Sequence, residues 1–202
     1  ASALVKSCIL LAGMYASGTT CVTEPATTRD HTERMLNAFG YKVETTGNRM
    51  CLEGGGRLTA CDIDVPSDIS SAAFLLVGVS IAQNSDITLQ HVGVNPTRTC
   101  VMDILKLMGA NIELFNERLA GGEPVADIRV RSAQLKGINV PEELVPLAID
   151  EFPVLFVAAA CAEGQTVITG AEELRVKESD RIQVMADGLQ AIGVDATPTD
   201  DG

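Results

Sequence analysis

The chain repeats one supersecondary plan three times, and this limits its possible folds more than any other feature. The first copy runs Ile9-Leu10-Leu11-Ala12-Gly13, then Thr19-Thr20-Cys21-Val22-Thr23, then a charged helical stretch ending Met35-Leu36-Asn37-Ala38-Phe39-Gly40. The second runs Ala72 to Gly78, then Asp86-Ile87-Thr88-Leu89, then a helical stretch ending Ile104-Leu105-Lys106-Leu107-Met108-Gly109. The third runs Val154 to Cys161, then Gln165-Thr166-Val167-Ile168, then a stretch ending Gly188-Leu189-Gln190-Ala191-Ile192-Gly193. The order predicted for each is buried helix, short strand, loop, amphipathic helix, glycine cap, strand. The first helix is apolar almost all round, as a buried helix is. The strand alternates with period two. Gly40, Gly109 and Gly193 stand where a helix ends in a left-handed residue. They are 69 and 84 residues apart (109 − 40 and 193 − 109). That is too long for a helical solenoid repeat and fits a full supersecondary unit. The extra length falls between Gly121 and Pro146, in Gly- and Pro-bearing loops.

A boundary is expected at Asp64-Val65-Pro66-Ser67-Asp68, dividing the chain into 1–65 and 66–202. Asp68 is placed to cap the second buried helix. The stretch before the boundary, Asn48 to Ile63, is expected to form a hairpin with Gly54-Gly55-Gly56 at its turn.

With 202 residues and 46% hydrophobic side chains, the chain can bury a sizeable core, and at 3% aromatic content that core must be aliphatic. A formal net charge of −12 disfavours nucleic acid and anionic membranes as partners. A local basic pocket could still hold a small anion. The longest apolar stretch, Pro153 to Ala162, is about half the ~20 residues that span a bilayer. Both termini have the look of cut ends, so a fragment is expected. The cysteines at 8, 21, 51, 61, 100 and 161 form no CxxC pair and are read as reduced core residues. Two histidines and scattered cysteines give no metal-ligand spacing. Neither a Walker-type loop nor a GxGxxG after a strand occurs.

In each copy the loop before the second helix carries cations. It holds Arg29 in Thr28-Arg29-Asp30-His31, Arg98 in Asn95-Pro96-Thr97-Arg98, and three basic residues in Arg175-Val176-Lys177-Glu178-Ser179-Asp180-Arg181. A cation at a helix N-terminus opposes the helix dipole. Combined with free backbone N–H groups, it makes an anion site. Arg98 is read as a solvated surface charge paired with a neighbouring acid, and His31 as an exposed first-turn residue. Lys177, Glu178 and Arg181 crowd three ionisable groups into five residues, with Glu178 and Arg181 on one helical face. A glutamate beside a lysine can serve as general acid or base if burial and neighbours tune it, the alternative being a plain helical ion pair. Asp150, opening the third apolar helix in Ala148-Ile149-Asp150-Glu151-Phe152-Pro153, is either an N-cap or a proton acceptor for a hydroxyl.

These segments resemble the 5-enolpyruvylshikimate-3-phosphate synthase family of bacterial and plastid type. The resemblance rests on Leu174-Arg175-Val176-Lys177-Glu178-Ser179-Asp180-Arg181, Thr28-Arg29-Asp30-His31-Thr32-Glu33, Asp68-Ile69-Ser70-Ser71-Ala72-Ala73 and Asp150-Glu151-Phe152-Pro153, and it covers essentially the whole chain. It implies an α/β (α+β) fold of two lobes, each with three βαβαββ units around buried parallel helices. Residues 1–65 would be the last unit of one lobe, and 66–202 two units of the other, the last incomplete. It implies enolpyruvyl transfer from phosphoenolpyruvate to shikimate 3-phosphate by a monomeric, cytoplasmic or plastid enzyme with no metal or organic cofactor. It also implies roles: Asp150 takes the hydroxyl proton, Glu178 handles the methylene proton, Lys177 contacts the hydroxyl and intermediate, and Arg181 binds the phosphoenolpyruvate carboxylate. Ser2 and Arg29 would sit near the shikimate phosphate. Leu4 replaces a family Gln in Ser2-Ala3-Leu4-Val5-Lys6-Ser7 and cannot hydrogen-bond through its side chain. Ser67 replaces a usual Gly. The competing readings are a non-catalytic fragment that folds or binds weakly, and the sister transferase acting on a UDP-sugar. The latter needs a loop cysteine nucleophile that no cysteine here matches.

Overall fold

A computed structural model describes residues 2–202. The chain divides into two compact units, Ala1–Pro66 with Arg118–Val125, and Ser67–Glu117 with Ala126–Gly202.

The first unit contains α1 (Ala3–Gly13), β1 (Thr19–Thr23), α2 (His31–Ala38), β2 (Glu44–Thr46) and β3 (Arg49–Glu53). The strands form a sheet in the order β1-β3-β2, and both pairings are antiparallel. Leu10, Leu36, Tyr41, Val43, Met50 and Leu52 make its core. On α1 the buried residues are Lys6, Leu10 and Gly13, at helical spacing. The opposite face is open, with Leu4 83% exposed, so the buried-helix expectation holds for one side of α1 only.

The second unit contains α3 (Ile69–Ile81), β4 (Asp86–Gly93), α4 (Cys100–Leu107), most of β5 (Asn111–Ala120) and β6 (Glu123–Arg131), α5 (Phe152–Ala160) and α6 (Arg181–Ala191). Its sheet has the order β4-β6-β5. One aliphatic core joins α3, α4, α5 and β6 through residues such as Leu76, Leu105, Ile128 and Leu155, with Phe152 fully buried among them. Burying side chains of this size contributes about 1.5–3 kcal/mol each. Asp68 caps α3 as expected, accepting from the Ser71 N–H at 3.0 Å.

The three cap glycines all have positive φ, at 75°, 94° and 88° for Gly40, Gly109 and Gly193. After each, the next N–H reaches back five residues: Tyr41 to Leu36, Ala110 to Leu105, and Val194 to Leu189. This is the Schellman ending, made three times.

Several expectations change. The hairpin is β2–β3, turning at Gly47-Asn48, and not at Gly54-Gly55-Gly56. Gly54 instead follows β3 and lies against α1's exit. A Cβ there would stand 2.1 Å from the Ala16 carbonyl oxygen. The strand expected at Gln165–Ile168 makes only isolated bridges (Asn139 to Val167, with Lys136 to Glu163 just before), because no continuous ladder forms beside it. Cys21 and Cys51 are not reduced core residues. They face each other across the β1–β3 ladder with Cα atoms 4.1 Å apart and form a disulfide. Strand register brings them together across 30 residues of sequence, which spacing alone does not reveal. Of the other four only Cys100 is buried; Cys8, Cys61 and Cys161 lie on outer faces.

Candidate functional site

The second unit gathers Asp150, Lys177, Glu178 and Arg181. Asp150 closes the turn leading into α5. It does not cap the helix: the N-cap position belongs to Glu151, which makes no side-chain cap bond. The Asp150 carboxylate faces two cations, Lys177 Nζ at 3.8 Å and Arg181 Nη1 at 3.5 Å. Lys177 follows the 3-10 turn Glu172–Val176, in extended backbone. Its ammonium is also 2.7 Å from Glu173. Arg181 is the first residue of α6, and Asp180 before it caps the helix through the Gln183 N–H at 3.0 Å.

Arg175 closes this segment on itself. Its guanidinium donates to Asp180 at 2.6 Å, to the Asp200 carbonyl at 2.9 Å and to the Thr199 carbonyl. The Gln183 N–H and the Arg175 pair hold the Asp180 carboxyl below its usual range.

Glu178 stands out into solvent, its side chain 80% exposed, and accepts from Arg181 at 2.6 Å. That bond lowers its pKa. The tuning is therefore opposite to the burial effect a general acid needs. In this arrangement Glu178 is a carboxylate held by Arg181.

The first unit holds the other two expected residues. Ser2 is exposed and caps α1, its hydroxyl 3.4 Å from the Val5 N–H. Arg29 is half-buried in the loop before α2. Beneath that loop lies a charge cluster that the sequence reading missed. Lys6 is 3% exposed, with Nζ 2.8 Å from Glu33 and 3.4 Å from Glu24. Glu24 accepts from the Thr28 N–H at 3.1 Å and the Thr28 hydroxyl at 2.6 Å, which ties down the residue preceding Arg29. Burial raises the Glu24 pKa, but the Thr28 donors and Lys6 outweigh it and hold the carboxyl low. A signal was available: Lys6 shares the i, i+4, i+7 stripe with Leu10 and Gly13, and a cation on a buried stripe needs buried acids.

Two more expectations shift. His31 Nδ1 lies 2.7 Å from Glu123, so it is paired rather than simply exposed. Arg98 is paired with acids as expected but is not solvated. Its side chain is 14% exposed, against Asp68 and the buried Glu151. Among the described residues no group of three or more His, Cys, Asp or Glu could hold a metal ion. A cleft of about 590 Å³ between α5 and α6 is lined by Phe156, Met185 and Leu189 but by none of Asp150, Lys177, Glu178 or Arg181. No helix among the described residues is long and apolar enough to cross a membrane.

The EPSP synthase (3-phosphoshikimate 1-carboxyvinyltransferase) family model matches residues 1–202. A 3-phosphoshikimate 1-carboxyvinyltransferase from Alkalilimnicola ehrlichii is 73% identical over 202 residues, covering 100% of this chain and 45% of the relative. One from Methylococcus capsulatus is 67% identical, covering 100% and 46%. The solved structure of EPSP synthase from Acinetobacter baumannii superposes with a TM-score of 0.96 at 67% identity, over 100% of this chain and 46% of that one. The enolpyruvyl transferase NikO from Streptomyces tendae, at 16% identity and a TM-score of 0.60 over 79% of this chain and 37% of its own, shares the fold. The chain thus spans about half the length of these relatives.

Proposed function

The chain belongs to the EPSP synthase family, and on that premise we propose that it supplies part of the active site of an enzyme that transfers the enolpyruvyl group. The donor is phosphoenolpyruvate, the acceptor is the 5-hydroxyl of shikimate 3-phosphate, and phosphate is released. The observation that carries this reading is the Asp150 carboxylate set against Lys177 and Arg181. Two cations flank this carboxylate, and a carboxylate is the kind of group that takes a proton in general base catalysis. They also offer positive charge to an anionic substrate and intermediate.

In this reading Asp150 takes the proton of the 5-hydroxyl as its oxygen attacks C2 of the enol. Glu178 delivers a proton to the C3 methylene, giving a tetrahedral adduct. Loss of phosphate and return of the C3 proton give the enol ether. Arg181 binds the donor's carboxylate, and Lys177 steadies the reacting oxygen. Because Arg181 is also what keeps Glu178 ionised, a carboxylate arriving at Arg181 displaces Glu178 and raises its proton affinity when the acid is needed. By their motifs, Ser2 and Arg29 are assigned to the phosphate of shikimate 3-phosphate. Leu4 in place of Gln removes one polar contact there. We assign residues 1–65 to the last repeat of one lobe and 66–202 to two repeats of the other.

The test is phosphate release by the full-length protein given both substrates. Loss of a general acid or base typically costs 10²–10⁴ in rate. Asp150→Asn and Glu178→Gln should each fall in that range. Wild-type rates in both would overturn the assignment.

A further inference from the structure

Glu151 directly follows Asp150, and its carboxylate is 2% exposed. An acid buried this deeply is stable only if it is paired. One oxygen accepts from the Ser70 hydroxyl, and the other has no hydrogen-bond partner among the described residues. The Ser70 hydroxyl in turn accepts from Arg98 Nη2. The same Arg98 nitrogen stands 3.2 Å from Asp68, the cap of α3, and 3.8 Å from Glu151. A continuous chain therefore runs Asp68–Arg98–Ser70–Glu151. It ties the start of α3, the Asn95–Arg98 turn and the start of α5. The turn is itself fixed, because Asn95 Oδ1 accepts from both the N–H and the hydroxyl of Thr97.

Stability alone does not explain such a buried set. A buried ion pair is often matched or bettered by apolar side chains of the same volume. What this pair does is fix position. Glu151 occupies the N-cap of α5 without capping it, so the first turn of α5 is held through the carboxylate's tie to Ser70 and Arg98. Asp150 is one peptide unit away, its Cα ~3.8 Å from that of Glu151. Resting on the reading of Asp150 as the hydroxyl base, we propose that Arg98, acting through Ser70 and Glu151, is a positioning residue for Asp150. It holds the carboxylate at its place between Lys177 and Arg181. It also sets a positive charge beside the neighbouring Glu151.

Asp150 faces Lys177 and Arg181, which carry Glu173 and Glu178. Glu151 faces Arg98, with Asp68 beyond it, and Cys100, whose thiol is raised by burial and by Asp103 and Glu151. Removing Arg98 takes a cation away from this corner, and loss of a nearby positive charge makes a carboxylate easier to protonate.

The experiment uses the full-length enzyme and the pH profile of kcat with both substrates saturating. A small displacement of a reacting group can cost up to about 10²-fold. Ser70→Ala, which removes one hydroxyl, should lower kcat about tenfold with KM within about twofold, a size set by that displacement argument. Arg98→Met should move the acidic limb of the profile upward. Arg98→Lys should leave that limb in place. Glu151→Gln added to Arg98→Met should return it. A wild-type kcat in Ser70→Ala, or an unmoved limb in Arg98→Met, overturns the proposal. If Arg98→Met does not fold, Ser70→Ala decides by itself. Asp150→Asn run alongside separates the two ideas. Full activity in Asp150→Asn sinks the functional reading, whereas its loss beside a wild-type Ser70→Ala sinks only the positioning role.

Discussion

Replacing Lys6 by Met tests the physics of the first unit most directly. The methionine keeps much of the side-chain volume and removes the charge. Two carboxylates then lose their cation: Glu33, 5% exposed, loses a 2.8 Å contact, and Glu24, 8% exposed, loses one at 3.4 Å. Glu24 keeps both Thr28 donors. Among the described residues one buried oxygen of Glu33 already has no hydrogen-bond partner, so Glu33 takes the greater part of the loss. Breaking a buried pair by deleting one member costs about 3–5 kcal/mol. At about 2–4 °C per kcal/mol for a body of 150–250 residues, Tm should fall by roughly 6–20 °C.

The pH dependence follows from Glu24. Its folded pKa lies below the ordinary 4.5. Its contribution is therefore complete above pH 4.5 and is lost as pH falls through the folded value. Lys6→Met removes part of that depression, so the gap between variant and wild type should be widest near neutrality and narrow under acid. Adding Glu33→Leu should recover part of the stability, since it deletes the stranded acid. Urea unfolding of the full-length protein at pH 4 and pH 7 reads all of this. A gap below about 1 kcal/mol, equal at both pH values, or a double variant no better than the single, would falsify the reasoning.

The disulfide is checked by tryptic digestion of unreduced, alkylated protein: peptides 7–29 and 50–57 should travel as one mass, and alkylation of both Cys21 and Cys51 before reduction would contradict the register. Reducing that link should lower stability by about 3–4 kcal/mol, from the ~30-residue loop it closes. Gly54→Ala should destabilise by more than the ~1 kcal/mol typical of point changes, because the clash is with backbone and no rotamer relieves it. Thermal unfolding should show Gly55→Ala milder in contact terms, since no atom lies within 4 Å of its added Cβ and only its φ of 79° is strained. Phe152→Ala should cost about 3–5 kcal/mol, read by the same melts.

What could be read in the sequence was whatever a short window encodes. The three glycine caps, the Asp68 cap and the grouping of Lys177, Glu178 and Arg181 all depend on residues within a turn or two of one another. The failures have a common cause. Arg98 was read as a solvated charge because its partners Ser70 and Glu151 lie 28 and 53 residues away. His31 was read as exposed because Glu123 is 92 residues along the chain. Cys21 and Cys51 meet only through register. The hairpin turn was misplaced because three glycines gave a stronger local signal than Gly47-Asn48. The real demand on Gly54 is steric approach to Ala16, which composition cannot express. The match of Asp150 to Lys177 was expected from the resemblance alone; their spacing of 27 residues contained no hint of it.

The Arg175–Asp180 bond closes a small ring around Lys177 and Glu178. Arg175 also grips the carbonyls of Thr199 and Asp200, so the ring is fastened from outside. A short segment closed in this way has few conformations left to lose. The ordering cost of the backbone that carries Lys177 and Glu178 is therefore met when the protein folds, and under the proposed function ligand binding energy would remain for distinguishing the transition state from the substrate.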